Sequence, residues 1–115
     1  MSRPWAYVTA AWGSDKYEAK KKAIKYCRRI AEAGYDPICP IFLTDAVMDD
    51  TVPVEYKHKK DYAEEHLKRS RILVVCGGRT DAQVKSDIAL ARRMHIAATT
   101  LQGIEEIDLK CPKKE

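Results

Sequence analysis

The chain has 115 residues, 45% hydrophobic and 33% charged, with a formal net charge of +4. That length suits one domain, spanning 1–115, and that balance suits a water-soluble globule rather than a disordered or membrane-embedded chain. No apolar run approaches the ~20 residues that cross a bilayer, and Met1 to Trp5 lack the apolar stretch of a secretory signal, so a cytoplasmic location without a membrane partner is expected.

Trp5 to Ala10 is nearly all apolar, the pattern of a strand buried on both faces. Trp12, Gly13 and Ser14 break it. Asp15 followed by Glu18 resembles a capping pair, and the spacing predicts a helix to about Ala33, with Ala23, Cys27, Ile30 and Ala31 as its buried stripe. Gly34 ends it as a left-handed terminator. Asp36 to Leu43 reads as a second strand region, held to its ends or to a sheet edge by Pro37 and Pro40. Thr44 to Pro53 is the longest irregular stretch, acidic at Asp45, Asp49 and Asp50, and its length marks it as a functional loop.

Val54 to Ser70 reads as a helix whose buried side carries Tyr62, Ala63, His66 and Leu67. Ile72 to Cys76 is a third strand, Asp81 to His95 a helix, and Ile96 to Leu101 a fourth strand. Beyond it, Gln102 to Glu115 offers one short element and a frayed end, with 105–115 as a short tail. Strands and helices alternate. That order predicts an α/β fold: a small doubly wound, flavodoxin-like or Rossmann-like sheet of about four parallel strands, with helices on both faces.

Cys27, Cys39, Cys76 and Cys111 form no C-x-x-C pair, and the first three sit in apolar patterns. They read as reduced core thiols rather than disulfides or zinc ligands. His58, His66 and His95 lack metal-ligand spacing, and His66 and His95 read as buried, satisfied histidines. No metal and no cofactor is expected. The lysines cluster at 20–22, 57–60 and 113–114 as solvated faces and a chain end, with no interleaved aromatic platform, so nucleic acid is not the expected partner.

Chemistry points to the strand ends. In open α/β sheets ligands bind beyond the carboxyl ends of the strands. Those ends offer Ala11 and Trp12 after the first strand, and Gly77, Gly78, Arg79 and Asp81 after the third. Trp12 either offers a stacking face or lies against the first helix. Gly77 and Gly78 make a tight turn or let a ligand approach the backbone. Asp81 is well placed to cap the following helix. Tyr7 points from the first strand to the sheet face, as core or as site. At about 100° per residue, Asp87 falls inside the apolar arc of Val84, Ile88, Ala91 and Met94. An inward acid is costly unless it is paired or faces a cleft. Asp87 therefore either bonds a backbone amide or a cation such as Arg79, touches a ligand, or acts as nucleophile or base.

The order of parts carries a resemblance. It runs from Tyr7-Val8-Thr9-Ala10-Ala11-Trp12 through Tyr26-Cys27-Arg28 and Gly34-Tyr35-x-Pro37 to Pro40-Ile41-Phe42-Leu43. It continues with Asp49-Asp50-x-x-Pro53, Leu67-x-x-Ser70-Arg71, Val74-Val75-Cys76-Gly77 and Asp87-Ile88-x-x-Ala91. Over roughly residues 5 to 101 the chain resembles the nucleoside 2-deoxyribosyltransferase-like superfamily, most of all its small bacterial and phage members. The resemblance implies a nucleoside or nucleotide ligand and a homodimer or larger assembly. It implies Asp87 as the carboxylate that attacks the anomeric carbon, Asp81 as the acid that contacts the base, and Tyr7 as the residue that orients the nucleophile. The family usually has Glu at the nucleophile and Gly followed by a small or apolar residue between the acids, where this chain has Asp87 and Gln83-Val84. It also has Asp where this chain has Arg71. The expected function is thus a binder of a nucleoside, nucleotide or related ribosyl ligand, with N-glycosidic cleavage or deoxyribosyl transfer through Asp87. Its rivals are a non-catalytic nucleotide sensor and a protein-interaction module without a small ligand.

Overall fold

The computed structural model describes residues 3–13, 15–40 and 52–110, with the side chains of 56 and 106–110 left aside. Four parallel strands, β1 (Trp5–Ala10), β2 (Asp36–Ile38), β3 (Ile72–Cys76) and β4 (Ala97–Thr100), lie in the order β2-β1-β3-β4. The helices are α1 (Lys16–Glu32), α2 (Pro53–Lys68), α3 (Ala82–Arg93) and α4 (Leu101–Lys110). The α/β, doubly wound architecture expected from the alternation is the one observed. β1 and β3 lie side by side, with Tyr7 opposite Leu73 and Thr9 opposite Val75. Chain direction reverses its progress across the sheet between these two strands, which places the crevice of the fold at their carboxyl ends.

The pleat sorts side chains between two cores. Ala6, Val8 and Ala10 of β1 and Val74 and Cys76 of β3 pack with Ile30 of α1 and with Leu101 and Ile104 of α4. Tyr7 and Leu73 point the other way, onto Leu67 of α2 and Ala91 of α3. Both faces are covered, which explains why β1 and β3 read as continuous apolar runs. Cys76 is buried and Cys27 and Cys39 half-buried, all three as free thiols. Burial pushes the Cys76 thiol up to about 12, so it stays protonated.

Local signals account for the helix ends. Asp15 caps α1, its Oδ1 accepting from the amides of Tyr17 at 3.0 Å and Glu18 at 3.1 Å. Pro53 opens α2 behind an uncapped Val52, where its missing N–H has no helical partner to lose. The expected buried side of α2 holds: Leu67 is buried, and His66 is half-buried between the rings of Tyr62 and Trp5.

Four expectations need correction. β2 stops at Ile38, not Leu43. Pro37 is tolerated because β2 is an edge strand, while residues 41–51, which hold most of the acidic loop, lie outside the described residues. The fourth strand ends at Thr100, and Leu101 begins α4 as a buried core residue. The Thr100 hydroxyl stops the strand by accepting from the Gly103 amide at 2.9 Å, a capping bond. Residues 105–110 continue α4 rather than forming a tail, and Glu105 ties it to α1 by accepting from Arg29 Nε at 2.7 Å and from Arg29 Nη2. His95 is exposed, not buried. It takes φ 60° just after α3, the left-handed position that usually holds Gly or Asn.

Among the described residues no helix is long and apolar enough to cross a membrane.

Gly77, at φ +79°, makes the turn out of β3, and a Cβ there would lie 3.2 Å from the Tyr26 hydroxyl. Gly77→Ala should therefore cost about 1–2 kcal/mol, the left-handed penalty of an L-residue, in a urea titration. Gly78, whose Cβ would meet nothing within 4 Å, should accept Ala within about 0.5 kcal/mol. Equal costs at the two positions would refute this account of the turn.

Candidate functional site

A cleft of about 230 Å³ opens on the α2–α3 side of the sheet. β1 supplies its floor with Tyr7 and Thr9, and Trp12 stands at the strand's exit. α3 contributes Gln83, Asp87 and Leu90, and α2 faces them with Lys59, Ala63 and Leu67. The surface of the cleft is mostly apolar, with polar groups at the floor and with Lys59, Lys60 and Glu64 of α2 and Ser86 of α3 in its walls, a composition that suits a small-molecule site.

Asp87 is the centre of that floor. It keeps 8% of its surface, a rare burial for an acid. The helical period of α3 aims it at β1, beside Val84 and Ala91. The Thr9 hydroxyl donates to Oδ2 at 2.7 Å and Gln83 Nε2 donates to Oδ1 at 3.0 Å. Arg79 does not reach it: the partners are neutral. Burial raises the Asp87 carboxyl above the usual aspartate range. The Thr9 and Gln83 hydrogen bonds pull it down, and the Asp81 charge adds a small push upward. Tyr7 is 5% exposed, and burial, then the Asp87 charge, keep its phenol protonated well above the ordinary tyrosine value. The cleft thus pairs a carboxylate with a neutral hydroxyl-bearing ring.

The other expected site residues divide. Asp81 is exposed and caps α3, accepting from the Val84 amide at 2.9 Å; it lies outside the cleft's lining. Ala11, Gly77, Gly78 and Arg79 line a separate, smaller cleft on the α1 side, with Lys22 and Tyr26. Trp12 links the two, because it lines the first cleft and its ring lies 6.1 Å from that of Tyr26. The expected single constellation is therefore two clefts flanking the β1–β3 strand ends.

Thr9 and Gln83 were not legible as site residues. Gln83 carries a weak signal, since Gln and Asp four apart on a helix can bond. Thr9 carries none in sequence, 78 positions from Asp87. Among the described residues no group of three or more His, Cys, Asp or Glu could hold a metal ion.

Three comparisons set the chain and its fold beside known proteins. The family model of a domain of unknown function, DUF7768, matches residues 4–101. The chain belongs to that family. A search of curated proteins finds no match. Among solved structures, a 2-deoxyribosyltransferase from the psychrotolerant bacterium Bacillus psychrosaccharolyticus, characterised as a biocatalyst for the synthesis of nucleosides, superposes with a TM-score of 0.70. The two share 12% identity over 84% of this chain and 70% of that one. At that identity the likeness establishes the shared fold of this DUF7768 chain.

The pH dependence of Asp87 follows from its burial. Because its folded value is raised above the unfolded aspartate value of about 3.9, the folded chain holds a proton that the unfolded chain has lost across that window. Stability therefore falls as pH rises through the window. Asp87→Asn removes this loss. The variant's stability relative to the wild type should grow from about pH 4 upward, measured by urea unfolding at pH 4 and pH 7. A gap that narrows with pH would mean that the two hydrogen bonds, not burial, dominate.

Proposed function

We propose that the chain binds a nucleoside or related ribosyl ligand in the α2–α3 cleft and cleaves its N-glycosidic bond through Asp87. The observation that carries this reading is the buried Asp87 carboxylate, held from both oxygens by Thr9 and Gln83 at the floor of an apolar cleft. A carboxylate suits attack at an anomeric carbon because it stabilises the oxocarbenium-like transition state and then bonds covalently. An Asp87 oxygen would bond to that carbon as the carbon–nitrogen bond breaks. The base would leave with the bonding pair and take a proton from water. Water or a second base would then release the sugar and restore the carboxylate. Tyr7 would orient Asp87, and Trp12 would offer the base a stacking face. The likeness to a 2-deoxyribosyltransferase supports the choice of ligand class through the fold alone.

A second reading, a nucleotide-sensing protein without turnover, is favoured by one observation. Both oxygens of Asp87 already accept hydrogen bonds, and each bond lowers nucleophilicity.

The test is thermal unfolding and base release, followed by chromatography, over a panel of nucleosides and 2′-deoxynucleosides. A ligand at 100 times its dissociation constant stabilises by about 2.7 kcal/mol, several degrees for a domain of this size. A melting shift with free base appearing supports the enzyme. A shift without release supports the sensor. A flat panel with no release overturns both.

A further inference from the structure

The smaller cleft has no role in the reading above, and its lining is chemically one-sided. It holds about 80 Å³ between α1 and the carboxyl ends of β1 and β3, at the crevice where ligands of this fold class bind. Lys22 enters from α1 and Arg79 from the turn after β3. Among the described residues neither forms an ion pair, and no carboxylate lines the cleft. Both side chains are exposed at the cleft's rim, so an anion entering it would meet two cations and no competing carboxylate.

The turn adds further donors. Gly77 takes a left-handed φ of +79°, and the backbone amides of Gly77, Gly78 and Arg79 serve none of the turn, cap or loop hydrogen bonds between described residues. Successive amides around a left-handed residue form a concave nest for anions. Space above Gly78 is open, since a Cβ there would meet nothing within 4 Å. The Tyr26 hydroxyl stands over Gly77 and completes the wall. A guanidinium, an ammonium, a phenol and a run of amides, with no acceptor side chain opposite, match a tetrahedral oxyanion carrying two negative charges.

We infer that this cleft binds a phosphate group, so that the chain takes a phosphorylated ligand rather than a bare nucleoside. Trp12 and Tyr26, in ring contact, connect it to the Asp87 cleft. A sugar over Asp87 and a phosphate at Arg79 would flank the same pair of strand ends. The nucleotide form of this inference rests on the proposed function; phosphate binding by itself does not.

The test is calorimetric titration at fixed ionic strength with inorganic phosphate, a 2′-deoxynucleoside and its 5′-monophosphate. The proteins are the wild type, Lys22→Ala/Arg79→Ala, and Lys20→Ala/Lys25→Ala, which removes the same charge from α1 outside the cleft. The monophosphate is expected to bind the wild type at least tenfold more tightly than the nucleoside. The cleft variant should lose that advantage and keep the nucleoside affinity, and the control pair should keep both. Inorganic phosphate should bind the wild type and the control but not the cleft variant. If phosphate binds in this way while no nucleoside binds, the site stands and the Asp87 reading fails. The inference is overturned if neither phosphate nor monophosphate binds the wild type. It is equally overturned if the control pair loses as much affinity as the cleft pair.

Discussion

Asp87→Asn is expected to lower base release by about three orders of magnitude or more while leaving nucleoside affinity of the same order. The amide has nearly the volume of the carboxylate, and its oxygen still accepts from Thr9, so the cleft floor keeps its shape. What disappears is the charge that attacks carbon and stabilises the developing cation. Urea unfolding of this variant at the assay pH, where its stability relative to the wild type is expected to exceed that at pH 4, separates lost chemistry from lost fold. Asp87→Glu is a sharper probe. The extra methylene moves the carboxylate by about 1 Å, and such an offset costs on the order of 10²-fold when a site is built for one length. Steady-state base release by the three proteins decides the matter. Asp87→Asn within tenfold of the wild type would remove Asp87 from the chemistry and leave the sensor reading.

Leu73→Ala should cost about 2–5 kcal/mol in a urea or guanidinium titration, against a total of roughly 5–15 kcal/mol for a domain of ordinary stability. Leu73 is fully buried in β3, opposite Tyr7 and against Leu67 and Ala91. β1 and β4 flank its strand and helices cover its face, so little can collapse into the void. Ile24→Ala, at a position 51% exposed on α1, should stay within about 0.5 kcal/mol. A small loss at Leu73 would mean that the α2–α3 core is loosely packed. It would also loosen Tyr7, which shares that core and lines the Asp87 cleft.

The elements that the sequence revealed are those whose signals are local. Asp15 and Asp81 precede their helices and cap them, because a carboxylate two or three residues from an unpaired amide needs no tertiary help. The inward aim of Asp87 follows from the 3.6-residue period alone. The misread segments are those where a distant partner decides. Leu101 continues an apolar run and reads as strand, yet the Thr100 hydroxyl turns the chain into α4, and Leu101 is buried in the core shared with Ile30. Glu105 looks like the start of a tail until Arg29 meets it across 76 positions.

The site divides along the same line. Composition, apolar runs and helix period by themselves determined an α/β chain with an acid turned inward near a glycine turn. They could not say what the acid meets. That depended on the register of β1 against β3 and on the packing of α3, which bring Thr9 to Asp87. The pleat then sends alternate residues to opposite faces, so Tyr7 and Thr9 open into one cleft while Ala10, with the residues after β3, lines another. Side-chain type is written in the sequence; which groups share a cavity is decided by strand order and by the face each residue takes.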